Sequence, residues 1–229
     1  GCATIEYTSS ALVDLDLHSE PDPAGLDAVA FERQSLARIG MPDDIFTAPM
    51  GRVFAAFSSR HREIRLDVTT GLSRDLTRRF RAGEFDVVVV KEPAASADHR
   101  ASFPEAIGWF ESTEAGGEWP DPVPLVAFPP GGLYRETMFE RIEHERRRWY
   151  VSFTGSSLDS VLRAVEAGLG ISLVPTGSTA GYRVRPLARL GLERTMVVSV
   201  YSWETAGRAA ELAGSMAGVL AQRYRARNR

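Results

Sequence analysis

The chain has 229 residues, long enough for one large or two small domains with real cores. Charged residues make up 25% and apolar residues 44%, which is the composition of an ordinary globular protein. A formal net charge of −3 and a pI near 5.9 argue against a free-standing nucleic-acid binder, which needs a basic face. One cysteine, Cys2, excludes an internal disulfide framework and a cysteine metal cluster. With no signal peptide and no run of some 18 apolar residues, a reducing cytoplasm is the expected compartment and no membrane partner is expected. The start at Gly1-Cys2, without an initiator methionine, is expected to make this a fragment or a processed chain.

Residues 1–36 are expected to be an extension or linker remnant. Ile5 and Tyr7, then Val13, Leu15 and Leu17, alternate like exposed strands; Ser19 to Pro23 reads as a linker and Gly25 to Leu36 as a weak helix. From Leu36 the pattern becomes regular. Leu36 to Met41 is a short strand ending in the loop Pro42-Asp43-Asp44, and Pro49 suits the first turn of a helix that buries Met50, Val53, Phe54 and Phe57. Ile64, Leu66 and Val68 alternate as a second strand. Gly71 and Leu72 turn into a helix expected to be capped by Ser73, with Leu76 and Phe80 inward and Gly83 as its stop. Val87 to Val90 is a valine run of the kind covered on both faces. Strand, helix, strand, helix, strand with short loops implies a parallel sheet with right-handed crossovers.

Ala94 to Arg100 reads as a connector, Ile107 to Phe110 as a strand and Ser112 to Pro122 as an exposed loop. The alternation then resumes. Val123 to Phe128 is a strand, Pro129 to Gly132 a turn, and Tyr134, Met138, Phe139 and Ile142 mark a helix. Trp149, Val151 and Phe153 alternate as the next strand. Ser156 and Asp159 have capping-box spacing, which predicts a helix from Ser157 with Leu158, Val161, Leu162 and Val165 on one face. Gly168 and Gly170 stop it before the buried strand Ile171 to Val174. Tyr182 to Leu187 and Met196 to Tyr201 are further strands, and Glu204 to about Arg223 is the last helix. Two β/α runs joined by a connector imply two similar lobes with a cleft between them, and a last helix returning to the first lobe would make the chain cross twice.

Four stretches in this order resemble the effector-binding domain of LysR-type transcriptional regulators: ARIGMPDD (37–44), IRLDVTTGLSRDLTRRFRAGEFDVVVV (64–90), PLVAFPPGGLYRE (124–136) and SFTGSSLDSVLRAVEAGLGISLVP (152–175). The PDD and LYRE elements resemble the subgroup related to LrhA, HexA and PecT. The resemblance implies an α/β fold of two Rossmann-like lobes joined by a two-stranded hinge, the type 2 periplasmic-binding-protein fold. Lobe I is then 37–96 with 202–229, and lobe II is 97–201. It further implies an antiparallel homodimer inside a larger, often tetrameric, regulator. No counterpart of the family's helix-turn-helix is present, so DNA is expected as a partner only through a segment outside this sequence.

Carried over residue by residue, the family's cleft uses Asp43 and Asp44, the turn with Gly71 and Ser73, the turn from Phe128 through Gly131 to Tyr134, and the helix start with Thr154, Ser156 and Ser157. Helix amino ends suit a carboxylate or phosphate, whereas Asp43 and Asp44 repel an anion and can hold an ammonium. An amine-bearing or zwitterionic effector therefore stands beside an anionic one, with Arg135 as the available positive charge. His18, His61, His99 and His144 lack ligand spacing, so no metal is expected, and no cofactor fingerprint or nucleophile elbow occurs. A non-catalytic sensor is the expected function; the rivals are a solute-binding protein for transport and an enzyme using Asp43 or Asp44 as a base.

Overall fold

The computed structural model describes residues 36–190 and 195–227; the elements expected before Leu36 lie outside them. The first sheet contains β1 (Leu36–Met41), β2 (Arg65–Thr70), β3 (Val87–Glu92), β4 (Ala101–Glu105) and β10 (Met196–Ser202), in the order β2-β1-β3-β10-β4. β1, β2 and β3 run parallel, from Leu36 opposite Arg65 to Met41 opposite Thr70, as right-handed β-α-β units require. β10 is antiparallel to both β3 and β4.

The valine run shows why this sheet is covered on both sides. Val87 and Val89 join a core with Ile39, Met41, Phe57 and Met216, while Val88 and Val90 join a second with Leu76, Phe80 and Tyr201. Side chains alternate along a strand, so four valines in a row feed two apolar faces. Each fully buried valine is worth roughly 1.5 kcal/mol or more. Helices α1 (Ala48–Arg60) and α5 (Arg208–Arg227) cover the first face, and α2 (Ser73–Arg81) covers the second.

The second lobe is built from β5 (Ile107–Ser112), β6 (Val123–Ala127), β7 (Trp149–Thr154), β8 (Ser172–Pro175) and β9 (Val184–Pro186), with α3 (Leu133–His144) and α4 (Leu158–Glu166). β6 and β7 pair in parallel, and β8-β5-β9 form an antiparallel set. Backbone bonds of Ile171 to Pro124 and Val126, at 3.1 and 2.9 Å, join the two sets. The lobe thus repeats the first one's plan: two β-α units lead to a third parallel strand, and an antiparallel strand, here β5, pairs with that third strand.

The two cores meet where the chain crosses. Ile107 to Met196 supply one core, whereas Ile39 to Val89 with Val198 to Tyr224 supply the other. The first sheet runs beyond the boundaries at 97 and 201 expected from the sequence, because β4 and β10 both belong to it. β4 gave no strand signal: among the described residues it pairs with β10 alone, and its half-buried, proline-containing ASFPE suits an edge. The last helix begins at Arg208, four residues later than expected.

Candidate functional site

Four loops at the carboxyl ends of parallel strands face one another across the lobes. β1 leads into the short 3-10 turn Asp43–Ile45, β2 into the amino end of α2, β6 into the turn before α3, and β7 into the amino end of α4. Ligands in open α/β sheets bind at such places. A cavity of about 40 Å³ lies between them. Asp43, Asp44, Gly71 and Ser73 line it from lobe I, and Phe128 and Tyr134 from lobe II. Pro42, Leu72, Leu133, Leu158 and Lys91 complete the wall; Leu133 falls within the turn expected at the cleft, and the other four were not expected there from the sequence.

Lys91 is the centre of a buried charge network. Its Nζ lies 2.6 Å from Asp44 Oδ2 and 3.1 Å from Glu105 Oε2, with side-chain exposures of 5%, 11% and 2%. Glu105 Oε1 accepts from the Tyr224 hydroxyl at 2.7 Å, and its Oε2 from the Tyr134 hydroxyl at 3.4 Å. Arg223 donates to the Asp44 carbonyl at 2.9 Å and stands 3.8 Å from the carboxylate. Burial favours the neutral amine of Lys91, but the charge of Asp44, with that of Glu105, outweighs it and holds the pKa well above the usual lysine value. Burial also pushes the Tyr134 and Tyr224 hydroxyls up, so both stay protonated donors. The network ties β3, the β4–β5 crossing, α3 and α5 into one unit. Lys91 did carry a sequence signal, a charge directly after a buried valine run at a strand's carboxyl end. Glu105 carried none.

Beyond this network, Asp43 and Arg74 each reach across the cleft. Asp43 Oδ2 accepts from the backbone N–H of Leu158, the first residue of α4, at 3.2 Å. A carboxylate from lobe I therefore sits on the free donors and positive dipole end of a lobe II helix. Burial and then the Asp44 charge raise the Asp43 pKa, against the opposing pull of the Leu158 N–H and Lys91. At the mouth, Arg74 of α2 holds Glu136 of α3 through two bonds, 2.8 and 2.6 Å. That pairing lowers the Glu136 pKa and raises that of Arg74.

The serines differ from the sequence expectation. Ser73 is not the cap of α2: Leu72 holds that position, and Ser73 Oγ accepts from the backbone N–H of Lys91 at 2.9 Å. Ser157, rather than Ser156, caps α4, and its box partner is Ser160. Asp159 instead accepts from the Tyr182 hydroxyl. Ser156 and Thr154 are exposed and do not line the cavity. Arg135 does not supply the cleft's positive charge, because it clamps its own turn, donating to the Phe128 carbonyl at 2.7 Å and lying over the Phe139 ring. Gly131, at φ 86°, and Gly132 shape that turn; a Cβ on Gly132 would stand 2.5 Å from that of Phe128.

Among the described residues no cluster of His, Cys, Asp and Glu could hold a metal ion, and no helix is long and apolar enough to cross a membrane. Two α/β lobes, joined by a double crossing and lined at their cleft by strand ends and helix starts, define a small-molecule-binding domain of the type 2 periplasmic-binding-protein fold. A family model described as the LysR substrate binding domain matches residues 32–213, and the chain belongs to that family, the effector-binding regulatory domains of LysR-type regulators. No curated protein matches it. Solved structures with the same fold include the effector-binding domain of QuiR in complex with shikimate (10% identity, TM-score 0.59, covering 83% of this chain and 98% of that one). The regulatory domain of Synechocystis PCC6803 CcmR in complex with 2-PG is similar at 12% identity and TM-score 0.60, covering 81% and 97%. HinK, a LysR family regulator from Pseudomonas aeruginosa, is similar at 14% identity and TM-score 0.57, covering 84% and 75%.

Proposed function

We propose that this domain senses a small molecule bound between its lobes and converts lobe closure into a signal for a DNA-binding segment of the same regulator. The observation that carries this is the cleft itself, where Asp43 of one lobe occupies the helix start of the other and Arg74 pairs with Glu136 at the mouth. About 40 Å³ is room for a few water molecules, so an effector enters by parting these contacts. An acceptor on the effector then replaces Asp43 at the Leu158 N–H, and the released Asp43 carboxylate takes a donor. A molecule bearing both, such as a zwitterion or a hydroxylated acid, fits that exchange. The shikimate and 2-PG complexes of domains with this fold support a small effector for this one. Closure responds only to a ligand whose affinity differs between the two lobe arrangements.

The site residues in this reading are Asp43, Asp44, Gly71, Ser73, Phe128 and Tyr134, with Gly131, Arg135, Thr154, Ser156 and Ser157 shaping the rim. No catalytic step is assigned to it. In this reading the domain works in the cytoplasm as an antiparallel homodimer inside a larger, often tetrameric, regulator, and the PDD and LYRE elements support a kinship with LrhA, HexA and PecT. A thermal-shift screen of amino acids, polyamines, aromatic acids and quinolone-like signals tests the reading. At least one compound is expected to stabilise the chain, and Leu133→Trp, which fills the cavity, is expected to abolish that gain. Stabilisation by none of them, or an unchanged response in Leu133→Trp, would sink it. Sedimentation tests the dimer.

A further inference from the structure

A second concavity lies along the same lobe boundary, and at about 840 Å³ it is far larger than the closed cleft. Its walls come from both lobes. Pro93 and Ala94, just after β3, form one side, Thr137 and Arg141 of α3 the other, and Ile107 and Met196 at the two crossings the floor. Those two floor residues are only 4% and 6% exposed, so the groove reaches down to the packed core rather than skimming the surface.

Its position relative to the charge network is informative. Pro93 follows Lys91 by two residues, Ile107 follows Glu105 by two, and Thr137 follows Tyr134 by three. The buried Lys91–Glu105–Tyr134 contacts therefore form the partition between cleft and groove, which share no lining residue. A molecule in the groove touches both lobes and the hinge, so its affinity depends on the lobe arrangement.

The lining defines the ligand's chemistry. Arg141 is engaged by Glu145 at 3.1 Å and by the Leu190 carbonyl at 2.6 Å. Glu140 and His144 stand one turn apart on the exposed rim. With both signs present and Arg141 already paired, the rim offers no excess charge to a strong anion or cation, while the floor is apolar. We propose that this groove is a second small-molecule site that takes an uncharged, mainly apolar ligand, an aromatic or alicyclic ring system with a hydroxyl or carbonyl end facing Thr137. The volume falls within the roughly 300–1,000 Å³ usual for such sites.

N-phenyl-1-naphthylamine, an uncharged fluorescent probe, tests this by titration into the chain. Saturable enhancement at one site per chain is expected. Ala94→Trp and Thr137→Phe, at exposed and half-exposed positions that fill the groove without entering a core, are each expected to weaken binding about tenfold or more, some 1.4 kcal/mol. Leu133→Trp, in the cleft, is expected to leave probe binding unchanged. Thermal unfolding of each variant verifies its fold, and either groove variant suffices if the other fails to fold. Absence of saturable binding, binding that survives in the folded groove variants, or loss of binding in Leu133→Trp would each overturn the proposal.

Discussion

Replacing Lys91 by methionine keeps the side chain's length and removes the one charge that two buried carboxylates share. Its Nζ lies 2.6 Å from Asp44 and 3.1 Å from Glu105. At an effective dielectric near 20 each contact is worth roughly 5–6 kcal/mol of attraction, which largely offsets the desolvation of three ions. In Lys91→Met the attraction vanishes and the carboxylates stay buried. Arg223, 3.8 Å away, still serves Asp44, so the main loss falls on Glu105, left with the hydroxyls of Tyr134 and Tyr224. Breaking a buried pair by deleting one partner costs about 3–5 kcal/mol, which is a large part of the roughly 5–15 kcal/mol that holds a domain folded. Urea unfolding followed by circular dichroism measures the loss. Glu105→Gln in the same background should recover part of it at neutral pH, because the amide leaves no buried charge without its partner. A loss below about 1 kcal/mol, or one indifferent to Glu105→Gln, would refute the account of the network.

Asp43 offers a sign test. Its folded pKa is raised above the ordinary 3.8, so the folded chain binds more protons and the contribution of this group is lost as pH rises through the raised value. Asp43→Asn, which can still accept from the Leu158 N–H, should therefore gain stability on the wild type between about pH 4 and pH 7, and a flat or opposite difference would contradict the burial argument. Ser157→Ala should cost about 1 kcal/mol as a lost helix cap, whereas Ser156→Ala, at an exposed position, should stay within about 0.5 kcal/mol; equal losses would return the cap to Ser156. Arg74→Ala and Glu136→Ala should change stability little, since both partners are more than half exposed, yet widen the cleft in small-angle scattering. An unchanged scattering profile would remove this pair as a latch.

Much of the fold was legible because local patterning and tertiary burial agree. Leu36 to Met41 forms the short strand expected, its last three residues buried, and the valine run declares a sheet covered on both faces. The loops at the strand ends are a different case: it is the resemblance to the family, not local patterning, that points to Asp43, Asp44, Gly71, Ser73, Phe128 and Tyr134, and these six line the cavity. Caps were less legible. Ser156 with Asp159 and Ser157 with Ser160 both have box spacing, and a shift of one residue decides which hydroxyl meets the free N–H groups.

The sequence by itself determined the two β-α runs and the small polar loops at their strand ends, because periodicity and turn chemistry act over neighbouring residues, while the kinship with a sensor family came from the resemblance of four whole stretches. Only the tertiary structure decided that Lys91 meets Glu105, that Tyr224 arrives from the last helix, and that Asp43 reaches the start of a helix in the other lobe. Those pairs stand 14, 119 and 115 residues apart in the chain. Each carboxylate or ammonium could have faced water as readily as a partner, and it is burial at the lobe boundary, where an unpaired charge costs several kcal/mol, that selects the pairing.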